Sequence, residues 1–577
     1  MEQAIHFTLS FSEPQAHYVD VKMNINGFAD QEYIDIKMPV WAPGSYLIRE
    51  YSKNIERLSA ISNNSTPIKA EKISKNTWRI HHHGEDCVIN YSVYGFEVSV
   101  RTSFIDESRA FLSPVGTFMY IDGFLKLSTS VEIELPNHWT RISTGLEKIS
   151  PTIFYAENFD ILFDSPIEIG NQEVWNFDVD GVDHECVMVG LADYNTEKLT
   201  EDITRIVKEE NRIWGSNPNK NYVFITHNHQ NGSGGLEHLN STILAASRFG
   251  YSQESTYKNY LSLVAHEYFH LWHVKRLRPK ALGPFDYEQE NYTTGLWIIE
   301  GFTSYYDNLI IRRCGFFDER EYLQKLAIDF NTVYNRPGHR LQSAATSSFD
   351  TWIKQYRPDE NSQNVSISYY NKGAMHAVAL DIEILYNTNG EKCLDDVMRA
   401  AYEKFYLLEN RGFEEYEFLE LAESVTGVDL KDIFDAAHKT DDIDYNKYFN
   451  KVGYELIDHS DELDKVSLGI KIASNENKTV IKHVDRNSGA WIGGLNVDDE
   501  LIAINGHRIE GNGRALEYFV SNAKDGDIMN ILIARDGLIK TLNIPVYISQ
   551  KKAYSIEPNT FATENEKILG KKWLEIK

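Results

Sequence analysis

One stretch constrains this chain more than any other: His266-Glu267-Tyr268-Phe269-His270, set inside the apolar run KNYLSLVAHEYFHLWHV. Leu261, Val264, Ala265, Tyr268 and Phe269 recur at helical spacing, which predicts a largely buried helix. Four residues turn a helix by about 400°, so the two histidines lie about 40° apart and about 6 Å along one face. Two imidazoles so placed can share a Zn²⁺ ion. Glu267, one residue from the first histidine, can reach a water there as a general base without taking a coordination position. A chance match in a surface helix would lack the apolar flanks, and a buried His-Glu-His cluster is costly unless ligated or paired.

A third ligand has to come from elsewhere in the chain. Glu300 is a lone carboxylate in the apolar helical run WIIEGFTSYY, and Pro279, Gly283 and Pro284 let the chain leave the first helix and return. Two histidines and a glutamate leave a fourth position for water, the arrangement of a catalytic rather than a structural zinc. His273 is a rival ligand, less suited than the i, i+4 pair with a distant carboxylate. His81, His82 and His83 sit beside strand-like sequence and are expected at the surface.

Two further segments bear on the chemistry. Gly234-Gly235-Leu236-Glu237-His238 follows the strand-like NYVFITH and a loop rich in Gly and Asn. The glycines let backbone approach a ligand closely. Glu237 can hold a substrate ammonium by a charge-assisted hydrogen bond, which would make an exopeptidase; an ordinary strand-edge turn is the simpler alternative. Tyr369-Tyr370-Asn371-Lys372-Gly373-Ala374 precedes an apolar helix, where a phenol facing the metal could stabilise an oxyanion.

The remaining sequence predicts a multidomain α+β chain of 577 residues. Short alternating runs over residues 1–170, such as HYVDVKMNI and STSVEIEL, suggest an antiparallel β-sandwich. Residues 171–455 pass from mixed strands and helices to mostly helices. Residues 456–547 return to strands around the helical GRALEYFVSNA, and 548–577 are assigned as a C-terminal tail of unknown role. A net charge of −27 argues against nucleic acid or anionic lipid as partner. The four cysteines are isolated, which argues against a disulfide framework or a cysteine zinc cluster. No apolar run is long enough to span a membrane, and the N-terminus has no signal-peptide pattern, so a cytoplasmic location is expected, or a periplasmic one if a leader has been removed.

Together these segments resemble the gluzincin clan of zinc peptidases, which includes thermolysin and aminopeptidase N, and most closely its glycyl aminopeptidase family. HEYFHLWHVKRLRP and ENYTTGLWIIEGFTSYYDNL resemble that family's metal-binding stretch, and VWAPGSYLIREYSKNI is similar to a signature of its N-terminal domain. GGLEH resembles the clan's exopeptidase signature, with Leu236 and His238 where Met and Asn are usual. The resemblance implies a thermolysin-like catalytic domain with one zinc ion on His266, His270 and Glu300. It also implies Glu267 as base, Tyr370 rather than Tyr369 at the oxyanion, and Glu237, with Gly234 and Gly235, at the amine of peptides with a free N-terminus. Preference for N-terminal glycine, then alanine, is likewise implied by the resemblance. Leu468-Gly469-Ile470 and NSGAWIGGLNVDDELIAINGHRI are similar to the carboxylate-binding loop and core of a PDZ domain, which implies a C-terminal peptide as its ligand. Two other readings fit the residues: an endopeptidase on the same site, and a PDZ-based binding protein with a vestigial protease site.

Overall fold

A computed structural model describes residues 3–463, 466–474, 478–511 and 513–576. The N-terminal strands alternate as the sequence predicts, with Phe7, Leu9, Val21, Met23 and Ile89 all buried. An eight-stranded sheet carries Ala4–Ser10, Tyr18–Asn26, Cys87–Tyr94 and Ile55–Ser62 at its centre and one side. It shares its core with a four-stranded sheet containing Ile34–Lys37 and Thr77–Ile80. The expected antiparallel pairing holds with one exception: Ala4–Ser10 runs parallel to Thr129–Ile133. Near the end of the domain, helix α1 (Phe159–Phe163), N-capped by Asn158, precedes a last strand, Ile167–Gly170.

Five strands follow in the order Glu173–Val179, Val182–Val189, Asn221–His229, Ser241–Ser247, Gly235–Glu237. Asn221–His229 and Ser241–Ser247 are buried on both faces for most of their length, as a sheet covered on both sides requires. Cys186, Phe224 and Leu244 face α2 (Thr196–Trp214) and α3 (Glu254–Phe269). Val187, Val189, Ile225, Leu236 and Ile243 face the other way, onto Val100 and Phe111 of the first domain. The catalytic sheet is therefore a shared wall, and residues of the first domain reach its edge.

The helical half contains α4 (Leu296–Arg313), α5 (Glu319–Tyr334), α6 (Ala344–Phe349), α7 (Ser362–Val365) and α8 (Tyr369–Asn387). Helices α4 and α8 cross at two glycines: a Cβ on Gly301 would overlap the Gly373 backbone, and one on Gly373 the Trp297 carbonyl. Only glycines allow backbones so close. The crossing places Glu300, beside Gly301, close to Tyr370, one turn before Gly373. Among the described residues no helix is long and apolar enough to cross a membrane.

The last domain is an insertion. Tyr454–Asp458 leads into it and Tyr554–Pro558 leads out, paired antiparallel with each other. Within it, Ile470–Ser474 forms the edge of a sheet, pairing with Thr479–Val484, and Ile472 reaches Gly513 at the start of the helix Arg514–Ser521. The Gly469 N–H is bonded to Ser467 Oγ at 2.9 Å. Residues beyond 553 pack on the catalytic half, where helix Glu564–Trp573 buries Leu569 and Trp573 and the Trp573 indole donates to Tyr305 of α4 at 2.8 Å.

Candidate active site

Helix α3 carries His266 on its last turn and ends at His270, its C-cap, and α4 brings Glu300 against them. The two Nε2 atoms lie 3.1 Å apart, and Glu300 Oε2 lies 3.7 Å from His266 Nε2 and 3.3 Å from His270 Nε2. His266 Nδ1 contacts Asp307 Oδ2 at 3.1 Å, and His270 Nδ1 donates to the carbonyl of His273 at 2.6 Å. Each ring is thus fixed with Nε2 turned inward, the usual outer-shell arrangement of metal-bound histidine. Two imine nitrogens and a carboxylate oxygen converging at these distances repel one another unless a cation or a proton lies among them. The three residues fit a divalent cation. His273 is buried and contributes its carbonyl; its Nδ1 lies 3.3 Å from Thr303 Oγ1, so its ring lies outside this cluster.

Glu267 faces the edge strand Gly235–Glu237. A Cβ on Gly235 would overlap its carboxylate, and its Oε2 is buried without a hydrogen bond among the described residues. Burial raises its proton affinity, against the pull of His266 and His270. Tyr370 lines the same cavity, its ring 6.4 Å from that of His266. Tyr369 is instead buried, its hydroxyl 2.9 Å from Thr351 Oγ1. The site thus separates two adjacent tyrosines, one facing the cavity and one packed.

Glu237 is 4% exposed and its Oε1 has no hydrogen-bond partner among the described residues. Such a buried acceptor is costly unless a ligand supplies the donor. The adjacent His238 is turned away: its Nδ1 lies 3.0 Å from Asp164 Oδ1, at the end of α1. Asp164 also accepts from Lys275 Nζ at 2.6 Å and from the Leu239 N–H at 2.8 Å. Burial opposes ionisation of Asp164, but Lys275 and His238 outweigh it and hold its carboxyl below the usual range. The first domain thereby clamps the end of the edge strand.

Three residues that sequence reasoning missed complete the cavity. Gly44 lies so close to Glu237 that a Cβ there would overlap the carboxylate, and Tyr356 donates to its carbonyl at 3.3 Å. Arg101, also from the first domain, donates to the Gly235 carbonyl at 3.3 Å, and its Nε is buried without a partner among the described residues. Asp307 could have been found: it stands seven residues after Glu300, two turns along the same face of α4. The cavity holds about 480 Å³ and contains Glu237, Glu267, the three candidate ligands and Tyr370.

Residues 6–171 match the peptidase M61 N-terminal domain, 259–376 the M61 glycyl aminopeptidase family, and 466–546 a PDZ domain. The crystal structure of an aminopeptidase N family protein from Idiomarina loihiensis matches with a TM-score of 0.91 at 28% identity, over 99% of this chain and 100% of that one. An M1 zinc metallopeptidase from Deinococcus radiodurans matches at 10% identity and a TM-score of 0.47, over 76% of this chain and 94% of that one. No curated protein sequence matches the chain. With these segments matched, the chain is a metallopeptidase that combines a peptidase M61 N-terminal domain, an M61 glycyl aminopeptidase segment and a PDZ domain.

Proposed function

We propose that the protein is a zinc aminopeptidase that removes a small first residue, glycine before alanine, from peptides. The observation that carries this reading is the buried, unpartnered Glu237 carboxylate in the same cavity as the His266, His270 and Glu300 cluster. His266, His270 and Glu300 would hold one zinc ion. When bound there, zinc supplies Lewis acidity that acidifies water and polarises a peptide carbonyl.

Glu237 binds the free ammonium of the substrate, which fixes the scissile bond one residue from the chain end. Glu267, buried and of raised proton affinity, takes the proton of the attacking water and passes it to the departing amine nitrogen. Tyr370 donates a hydrogen bond to the carbonyl oxygen as that atom gains charge. Gly44 and Arg101 of the first domain border Glu237 and Gly235, where the first residue of the peptide would sit. The PDZ edge strand Ile470–Ser474 has one open side, which supports binding of a peptide C-terminus beside Leu468, Gly469 and Ile470.

Glu237→Gln tests the reading. The variant is expected to retain zinc and to lose about 50-fold in kcat/KM on glycyl p-nitroanilide, by removing a charge-assisted bond present in substrate and transition state. Unchanged kcat/KM would remove Glu237 from the amine site.

A further inference from the structure

Beside the active-site cavity lies a second one of about 330 Å³, and the two share Gly234, Asn259 and Leu263. It lies between the segment Gly232–Gly234 and the N-terminal half of α3. In a chain of net charge −27, no Asp, Glu, Lys, Arg or His side chain among the described residues lines it. Its walls include the rings of Tyr257 and Tyr260. Their hydroxyls are held elsewhere: Tyr257 donates to Asp202 at 2.8 Å, and Tyr260 lies 2.9 Å from Thr226 Oγ1. The rings therefore need no polar partner from a ligand and present apolar surface.

The position of this cavity relative to Glu237 gives it a role, and the argument rests on the reading of Glu237 as the amine anchor. The segment Gly232–Gly234 that precedes the edge strand Gly235–Glu237 stays beside the same neighbour: the Gly232 N–H donates to Ser247 Oγ at 3.2 Å, the Ala245 N–H donates to the Gly234 carbonyl at 2.9 Å, and Gly235 pairs with Leu244. A peptide whose amine meets Glu237 and whose first carbonyl lies by Glu267, opposite Gly235, continues antiparallel to that strand toward Gly234 and Ser233. An extended chain advances about 3.3 Å per residue, so its third residue lies about 7 Å beyond the first. Leu263, one helical turn before Glu267, is about 6 Å along α3, and Tyr260 is about 10 Å. The second cavity begins at that distance.

We infer that this cavity is a specificity subsite for an uncharged apolar side chain on the third residue of the peptide substrate. The active-site cavity holds the first residue by its amine, while the second selects an apolar residue two positions on. Burial of an aromatic side chain against Tyr257, Tyr260 and Leu263 supplies the discrimination.

The zinc-loaded full-length protein is assayed on Gly-Gly-Phe-amide, Gly-Gly-Gly-amide, Gly-Gly-Asp-amide and Gly-Phe-Gly-amide. Phe at the third position is expected to raise kcat/KM about tenfold over Gly, Asp to lower it, and Phe at the second to give no such gain. Thr256→Trp, which fills the cavity, is expected to erase the gain and leave turnover of glycyl p-nitroanilide within about twofold. Calorimetric binding of the same peptides to Glu267→Gln, and Ser233→Trp at the cavity mouth, provide the same comparison should Thr256→Trp fold poorly. Equal kcat/KM for all third residues, with free-amine peptides still cleaved and acetylated ones not, would overturn the subsite alone. Release of acetyl-glycine from the acetylated peptide would overturn the amine anchor and with it the assignment of the cavity to the third residue.

Discussion

His266, His270, Glu267 and Glu300 are legible in the sequence because each lies in a helix whose periodicity states its own face. Glu237 and Tyr370 are legible as types of residue in suggestive segments. Gly44 and Arg101 are not, because they meet Glu237 and Gly235 across the packing of two domains, and local spacing holds no record of that contact. His238 shows the same limit: as a departure from the usual signature it puts amine recognition in question, yet the structure turns its ring onto Asp164. Asp307 orients His266 through Nδ1 and contributes no ligand atom to the His266–His270–Glu300 cluster. Asp307→Ala is therefore expected to weaken zinc binding about 10- to 100-fold, with turnover restored at saturating zinc. Zinc content measured against a graded chelator checks this, and unaltered affinity would show that the His266 ring is held by packing alone.

At the scale of elements, strands and helices follow the periodicity read from the sequence, because period-two and period-3.6 runs mark which residues face a core. The glycine crossing of α4 and α8 is less visible: Gly301 and Gly373 sit in unrelated segments, and only their meeting explains both. Gly301→Ala is expected to destabilise the catalytic half by about 3 kcal/mol, since the added Cβ meets backbone rather than a movable side chain. A lowered melting temperature together with reduced zinc retention checks this; a variant as stable as the parent would contradict the close crossing. A second element contact is pH-sensitive. His184 lies between the Val182 carbonyl at 2.9 Å and the Tyr268 hydroxyl at 2.9 Å, joining the sheet to α3. Burial lowers its pKa from 6.5 to about 4. Above pH 6.5 both folded and unfolded chains keep it neutral. As pH falls from 6.5 toward 4 only the unfolded chain binds the proton, so stability drops across that window and levels off below it. His184→Phe is expected to lower stability at pH 7 by about 1 kcal/mol and to flatten the loss between pH 6.5 and 4. Melting curves of both proteins across that range check the slope, and parallel slopes would assign the acid loss to other groups.

For the whole molecule, domain order was legible but the path of the chain was not. Residues 554–574 return to the catalytic half because Leu569 and Trp573 find a buried place there, and two buried apolar positions in a charged helix are too few to announce it. The PDZ domain is consequently held at both ends, and it also rests on the segment before α8: Asn364 donates to the Val484 carbonyl at 2.9 Å and accepts from the Arg486 N–H at 2.8 Å. The cavity of the candidate site is likewise a product of two domains, with Gly44 and Arg101 from one and the His266–His270–Glu300 cluster, Glu237 and Tyr370 from the other. The central claim is that this joint cavity reads a free amine beside a metal. It is tested most directly by glycyl p-nitroanilide and its N-acetylated form, each assayed on the full-length protein before chelation, after chelation and after return of zinc. Cleavage of the free amine only, lost on chelation and recovered with zinc, is the expected result. Comparable cleavage of the acetylated substrate, or activity indifferent to chelation, would contradict it.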